Sequence, residues 1–355
     1  MNNSEYTELN NYLNELFIYL QEYFKPFIDN LIPIFELNDK FSILLKGYDL
    51  EDASIQNDLT YDDVYLLAEE IISTIDKKYL DDFDNLIKSG ELDFSYNNDY
   101  YDSHFIHTKN YNLININRSY NYDDVVVLIH EFFHYLTGKG QHVTENWHWL
   151  TEFFSIYFES YAINYLIDNG VPKNEIKYKA RLKSTYRRTN DMYFIESPLL
   201  SYHFFGVISD SSYQLLDKFR IVNVTKEVFE QECKNLLYWF RKEESNYKLE
   251  NFKQDYSEYG LRLYYGDKFK NYFSYFFGTV LAFYAIENCD MENILKINDK
   301  INDENLDFFE CISEMGIDIF NDNFNDEVIE SIKKYLINYN IEKGDLCKKN
   351  SLAKD

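Results

Sequence analysis

Proline and glycine are scarce, at 4 and 11 among 355 residues. Folds made of many short strands need both at their turns, so the shortage argues against a β-sandwich or barrel and favours long helices. Cysteine is also rare. Cys233, Cys289, Cys311 and Cys347 form no C-x-x-C pair, and none lies near a histidine in the sequence. Neither a disulfide framework nor a cysteine-held metal is expected, and the thiols are read as reduced. No apolar run is long enough for a bilayer: the longest, roughly Phe276 to Ile286, falls short of the ~20 residues a spanning helix needs. The opening MNNSEYTELN is polar and acidic and lacks the basic and apolar regions of a secretory signal. A cytoplasmic protein with no membrane partner is the expectation. Positive charge is short as well: 35 Lys and Arg stand against 61 Asp and Glu, a net charge of -26. That excludes nucleic acid as an expected partner, because phosphate binding needs basic patches, and it mildly favours neutral or cationic substrates. No phosphate-binding loop, no G-x-S-x-G and no Cys–His pairing is present.

Aromatic residues are abundant, with 34 Tyr and 29 Phe, and 45% of the chain is hydrophobic. The material for a large core is there. Helical spacing runs through residues 5–25. Thr60 is placed to cap a helix over Tyr61–Lys77, with Asp63 in its first turn. A second helix should end at Gly90, and residues 92–110 read as loop. Tyr111–Asn117 (YNLININ) reads as a short strand. Asn121 is the next N-cap, followed by Asp123 and Asp124, and its helix should run to about Thr137 and stop at Gly138 and Gly140. The run Val125–Ile129 alone would suggest a strand, but the cap signals and the residues that follow favour a buried helix. Further helices are expected over about 145–168, 173–189, 207–245, 267–288 and 326–343. The basic residues Lys173, Lys177, Lys179, Arg181, Lys183, Arg187 and Arg188 are read as a solvated face. His203 is read as a core or rim residue.

Chemistry enters at residues 130–134, HEFFH. Positions i and i+4 of a helix share one face, so His130 and His134 can reach one metal ion. Glu131 beside them can take a proton from a metal-bound water. Zinc suits such a site: it accepts imidazole nitrogen, keeps an open position and lowers the pKa of bound water to about 7. The third ligand should come from the next helix, whose candidates are His142, Glu145, His148, Glu152 and Glu159. The metzincin spacing fails, because Thr137 and Gly140 stand where it needs Gly and His. That favours a helix-borne carboxylate. Glu152, Ser155 and Glu159 share a face, with Glu152 placed to ligate and Glu159 to orient a ligand histidine. His148, one turn earlier, is the reserve ligand.

The run NYNLININRSYNYDDVVVLIHEFFH, followed by LTEFFSIYFE, resembles the M3 family of zinc metallopeptidases, oligoendopeptidase F in particular. A second match is YFSYFFGT at 272–279, similar to that family's aromatic segment. The resemblance covers roughly residues 60–340. It implies a mainly α fold of the helical gluzincin metallopeptidase type, with a small edge strand or sheet beside a deep cleft floored by zinc. It implies a zinc-dependent endopeptidase or oligopeptidase acting on peptides or unfolded polypeptides, with metal ligands His130, His134 and Glu152, general base Glu131, and Tyr275 as the donor to the oxyanion. His104 and His107 would be cleft-lining residues or plain loop polar groups.

The chain departs from the family at named positions. Phe133 replaces the Gly of HExGH, and Thr137 an additional His. The loop between the two site helices is shorter. Asp267, Lys268 and Phe269 align with a His-Phe-Tyr that supplies transition-state donors; Tyr264 or Tyr265 could substitute. Only 129 residues precede His130, fewer than the family usually has, which suggests a more open cleft. The expected organisation is a helical segment at 1–59 (a truncated first lobe), a catalytic domain at 60–343 and a tail at 344–355. Two alternatives remain: a catalytically impaired, zinc-containing peptide-binding protein, and a processing protease dedicated to one protein substrate.

Overall fold

The computed structural model describes residues 1–24, 31–52, 57–94, 103–107, 112–138, 148–219, 225–247, 261–301 and 308–344. The fold is mainly helical, as expected, with one small three-stranded sheet. Two compact units are each built from two separated stretches. Unit 1 combines Met1–Leu45 with Tyr186–Phe276, and unit 2 combines Lys46–Thr185 with Phe277–Asp355. Two long helices, α7 (Ala180–Phe205) and α10 (Leu261–Asn288), each contribute to both units. The boundary at 45/46 falls at the end of α2 (Leu31–Leu45), and those at 185/186 and 276/277 fall inside helices. No helix among the described residues is long and apolar enough to cross a membrane.

In unit 1, α1 (Asn3–Phe24) buries Leu9, Leu13 and Leu16 along one stripe, at the spacing of an amphipathic helix. Tyr12 stacks on Phe240 of α9 (Lys226–Tyr247), ring centroids 4.8 Å apart. Asn10 brackets Ile208 through both ends of its amide, donating to the carbonyl at 2.7 Å and accepting from the N–H at 2.6 Å. The region expected as one helix over 207–245 holds two, α8 (Ser212–Phe219) and α9. Two carboxylates are buried in this unit, Glu196 on α7 and Glu232 on α9, and a third, Asp39 on α2, is half-buried. Asn38 donates to Glu196 at 3.5 Å, and the Ser197 hydroxyl lies beside Glu232. Burial, with repulsion from Glu36, raises Asp39 to about 6; burial, with repulsion from Asp39, raises Glu232 to about 7; and burial, with repulsion from Asp39 and Glu232, raises Glu196 well above its ordinary value.

Unit 2 opens on α3 (Tyr61–Ile75), whose start is the expected one. The Thr60 hydroxyl accepts from the Asp63 N–H at 3.2 Å, and Asp63 accepts from the Thr60 N–H at 2.9 Å, a capping box built with Asp. A 3-10 turn over Lys77–Tyr79 leads into α4 (Leu80–Lys88). Gly90, at φ 75°, closes α4 with bonds from Gly90 N–H to Ile87 and from Glu91 N–H to Leu86. The expected loop at 92–110 needs correction. Within it lie β1 (Leu92–Asp93) and β2 (His104–His107), which flank β3 (Asn112–Asn115). β1 runs parallel to β3 and β2 antiparallel, in the order β1-β3-β2. Strands this short, carrying histidine and aspartate, give no apolar run to read; their pairing with β3 creates them.

The two central helices are α5 (Asp123–Gly138) and α6 (His148–Asp168). Asp124 anchors the start of α5. Its carboxylate accepts from Arg118 Nε at 2.7 Å and from the N–H groups of Ser119 and Tyr120 at 2.6 and 2.9 Å. Asn121 also accepts from the Asp123 N–H at 2.8 Å. Phe133 stacks on Phe158 of α6 with centroids 3.7 Å apart, so the residue that replaces the family glycine ties the two helices together. Thr137 closes back onto the Phe133 carbonyl at 2.9 Å. α6 ends at Gly170, φ 93°. The helix expected over 173–189 starts later. A 3-10 turn occupies Lys173–Glu175, and α7 begins at Ala180 and continues through Pro198 to Phe205. The reading of a solvated basic face is corrected as well. Lys177 pairs with Asp123 at 2.5 Å, the Lys179 N–H donates to Asp52 at 3.2 Å, and Lys183 pairs with Glu51. Beyond α10 come α11 (Met291–Lys300), α12 (Phe308–Glu314) and α13 (Phe324–Asn338).

Candidate metal centre

The two histidines of HEFFH lie one helical turn apart on α5, and Glu152 lies in the second turn of α6. The packing of α5 on α6 through Phe133 and Phe158 brings these residues together. His130 Nε2 is 3.1 Å from His134 Nε2 and 3.9 Å from Glu152 Oε2, and His134 Nε2 is 3.5 Å from Glu152 Oε1. One donor atom from each residue lies within 4.8 Å of the others. Two nitrogens and a carboxylate at ~2.1 Å from a tetrahedral zinc would stand ~3.4 Å from one another. The observed spacings bracket that value, so these residues fit a metal ion in both number and type.

Glu131 is the neighbouring residue on α5 and is 6% exposed. Burial raises its carboxyl to about 7. The Glu152 charge adds to the rise, while His130, His104 and Arg181 oppose it. His104, on the edge strand β2, donates to or accepts from the Asn115 side chain at 3.1 Å. Phe105, next to it, lies against Gly138 so closely that a Cβ there would be 2.7 Å from the ring. Sequence reasoning assigned His104 only loosely, because a four-residue edge strand has no pattern of its own.

Behind the histidines lies Glu159, two turns beyond Glu152 on α6. Its Oε2 is 2.9 Å from His130 Nδ1, the nitrogen on the far side of the ring from the cluster. Arg181, from the first turn of α7, grips the same carboxylate. Its Nε donates to Oε1 at 3.2 Å and its Nη2 donates to Oε2. Burial would raise Glu159, but the Arg181 guanidinium and the His130 contact hold it down to about 2. His130 in turn is raised: burial works against its charge, and the carboxylates around it, Glu159 first, more than compensate. The sequence read Arg181 as one more exposed cation; its role shows only when α7 folds back against α6.

Glu152 has a support of its own. Gly278 of α10 lies against α6 so closely that a Cβ there would be 3.0 Å from Glu152 Cβ and from the Phe153 nitrogen, and 3.1 Å from the Trp149 carbonyl. The glycine is what lets α10 approach α6 at the ligand.

Tyr275 is grouped with unit 1, where the Arg188 guanidinium stacks 3.5 Å over its ring. Phe269 is fully buried. His203 packs 5.3 Å from the Phe17 ring. His142 and Glu145 lie outside the described residues, as do the side chains of His148, Tyr264 and Tyr265.

No protein-family model and no curated protein matches the chain. Two solved structures are similar to it. A candidate peptidase from Chlamydophila abortus shares 15% identity at a TM-score of 0.57; the match covers 94% of this chain and 61% of that one. A candidate oligoendopeptidase F from Bacillus anthracis strain Ames shares 13% identity at a TM-score of 0.46, over 89% of this chain and 55% of that one. The chain thus spans 55–61% of the length of these structures. The likeness to the first is one of fold.

Proposed function

We propose that the chain is a zinc-dependent peptidase of the M3 type, with His130, His134 and Glu152 as the metal ligands and Glu131 as the general base. The observation that carries this reading is the convergence of three metal-type donors, with the buried Glu131 carboxyl next to His130 on the same helix. The fold of the Chlamydophila abortus protein, named as a candidate peptidase, agrees with it.

Bound at these residues, zinc would act as a Lewis acid that polarises a peptide carbonyl and acidifies a water molecule. Glu131 takes the proton from the attacking water and passes it to the leaving amine. Burial strengthens the carboxylate's hold on a proton, which favours its role as the base. Glu159 holds the His130 Nδ1 proton, which keeps the Nε2 lone pair directed at the cluster. Tyr275 is proposed as the hydroxyl donor to the oxyanion.

Phe269 favours a second reading. It aligns with a tyrosine of the resembled family and is fully buried, which suits a zinc-containing protein that binds peptides without cleaving them. Zinc content and cleavage of a mixed peptide library, compared between wild type and Glu131→Gln, decide the matter. The proposal expects about one zinc in each protein and cleavage by wild type alone, reduced at least ~100-fold in the variant. Zinc in both with cleavage in neither selects the binding protein or a dedicated processing protease. A wild type that takes up no metal rejects the metal centre altogether.

A further inference from the structure

His130 is the metal-facing residue with the most elaborate support, and that support ends on a residue outside the HEFFH helix. Glu159 Oε2 is shared by His130 Nδ1 and Arg181 Nη2, and the two nitrogens are themselves 3.3 Å apart. Arg181 Nε takes the other oxygen. Both carboxylate oxygens are therefore held, and the carboxylate has one orientation in which it serves the imidazole. The segment that delivers Arg181 is pinned on either side. Lys177 is tied to Asp123 at the start of α5, Lys179 to Asp52, and Lys183 to Glu51.

We propose that Arg181 is a positioning residue for the metal centre: its two-pronged grip on Glu159 fixes the tautomer and ring orientation of His130, and so sets the affinity for zinc. This deepens the peptidase reading and rests on it. The physical reason lies in the geometry of the fork. A guanidinium offers two parallel N–H donors and so defines the carboxylate plane, which a lysine ammonium does not. Without the fork, Glu159 is free to rotate away, and His130 loses the acceptor that keeps its proton on Nδ1. Partners of this kind typically change metal affinity by ~10–100-fold.

The test is zinc affinity of the metal-free full-length protein, measured by competition with a chromogenic chelator. The proteins compared are wild type, Arg181→Met, Arg181→Lys, Glu159→Gln and the Glu159→Gln/Arg181→Met double variant. Thermal midpoints of the metal-free forms are recorded alongside, with the visible spectrum of each cobalt-loaded form. The expected result is zinc binding weakened ~10–100-fold in Arg181→Met, a smaller loss in Arg181→Lys, and a shifted cobalt spectrum in both. In the Glu159→Gln background, removing Arg181 should change affinity by less than ~2-fold, because the arginine acts through that carboxylate. Arg181→Lys keeps the charge and supplies the answer if Arg181→Met does not fold. Unchanged zinc affinity and cobalt spectrum, with only the thermal midpoint lowered, assign Arg181 a structural role and overturn the proposal. Full additivity in the double variant overturns it too. A wild type that binds no zinc rejects the underlying metal centre as well, a result distinct from tight wild-type binding that ignores Arg181.

Discussion

Glu159 in unit 2 and Glu196 in unit 1 are buried to nearly the same extent, 7% and 5% exposed, yet they ionise in opposite directions. Glu159 faces Arg181 and His130 and is held down to about 2. Glu196 faces Asp39 and Glu232 and is pushed well above its ordinary value. Among the described residues no Lys or Arg forms an ion pair with any of those three acids. Burial alone therefore does not decide the charge of an interior carboxylate; the sign of its neighbours does. In unit 2 the arginines Arg181 and Arg118 face the interior acids Glu159 and Asp124. In unit 1 Glu196 and Glu232 face other acids, and burial favours their protonated forms.

This contrast predicts opposite responses to removal of charge. The largest effect is expected in unit 2. Asp124→Ala strands a buried Arg118 and two backbone N–H groups and should cost ~3–5 kcal/mol, read from urea unfolding at neutral pH. A loss under ~1 kcal/mol would erase the distinction between the units. In unit 1 the sign reverses. Native carboxyls raised to about 6 and 7 hold protons that the unfolded chain has released. Their contribution to stability is therefore intact below the unfolded value near 4 and declines as pH rises to about 7. Glu232→Gln removes that decline. It should match wild type near pH 4 and exceed it by on the order of 1 kcal/mol at pH 8. Equal unfolding midpoints at both pH values would show that the acids of unit 1 are charged after all. The smallest effect belongs to the exposed Arg241, paired with Glu8 at 2.5 Å and half open to solvent. Arg241→Ala should move stability by no more than ~0.5 kcal/mol, whichever unit's rule applies.

Much of the site could be read before any coordinates. HEFFH states its own spacing, and the Glu152–Glu159 face follows from helical periodicity, so the donors were legible as a pattern along two helices. The cap at Thr60 and the stop at Gly90 were legible because each is a local event. The supports of the site were not. Arg181 sits in a run of cations with no local mark to separate it from Lys183, and only the return of α7 onto α6 gives it a partner. Gly278 reads as one small residue in an aromatic helix; its meaning depends on the 3.0 Å that separates its missing Cβ from Glu152. β1 and β2 were read as loop because strands of two and four residues exist only through their partner. The interleaving of the units was hidden for a related reason: continuous helices cross two of the three boundaries and leave no change of composition.

That interleaving has a consequence for the order in which a ribosome presents the parts. His130, His134, Glu152, Glu159 and Arg181 all lie in the single stretch 46–185, so a nascent chain released only that far already carries every donor and the fork behind them. Residues 1–45 must wait for 186–276 before their own unit can close. Gly278, which presses on Glu152, emerges later still. The candidate metal ligands are thus made before the second half of the other unit, and the glycine that seats Glu152 arrives after it.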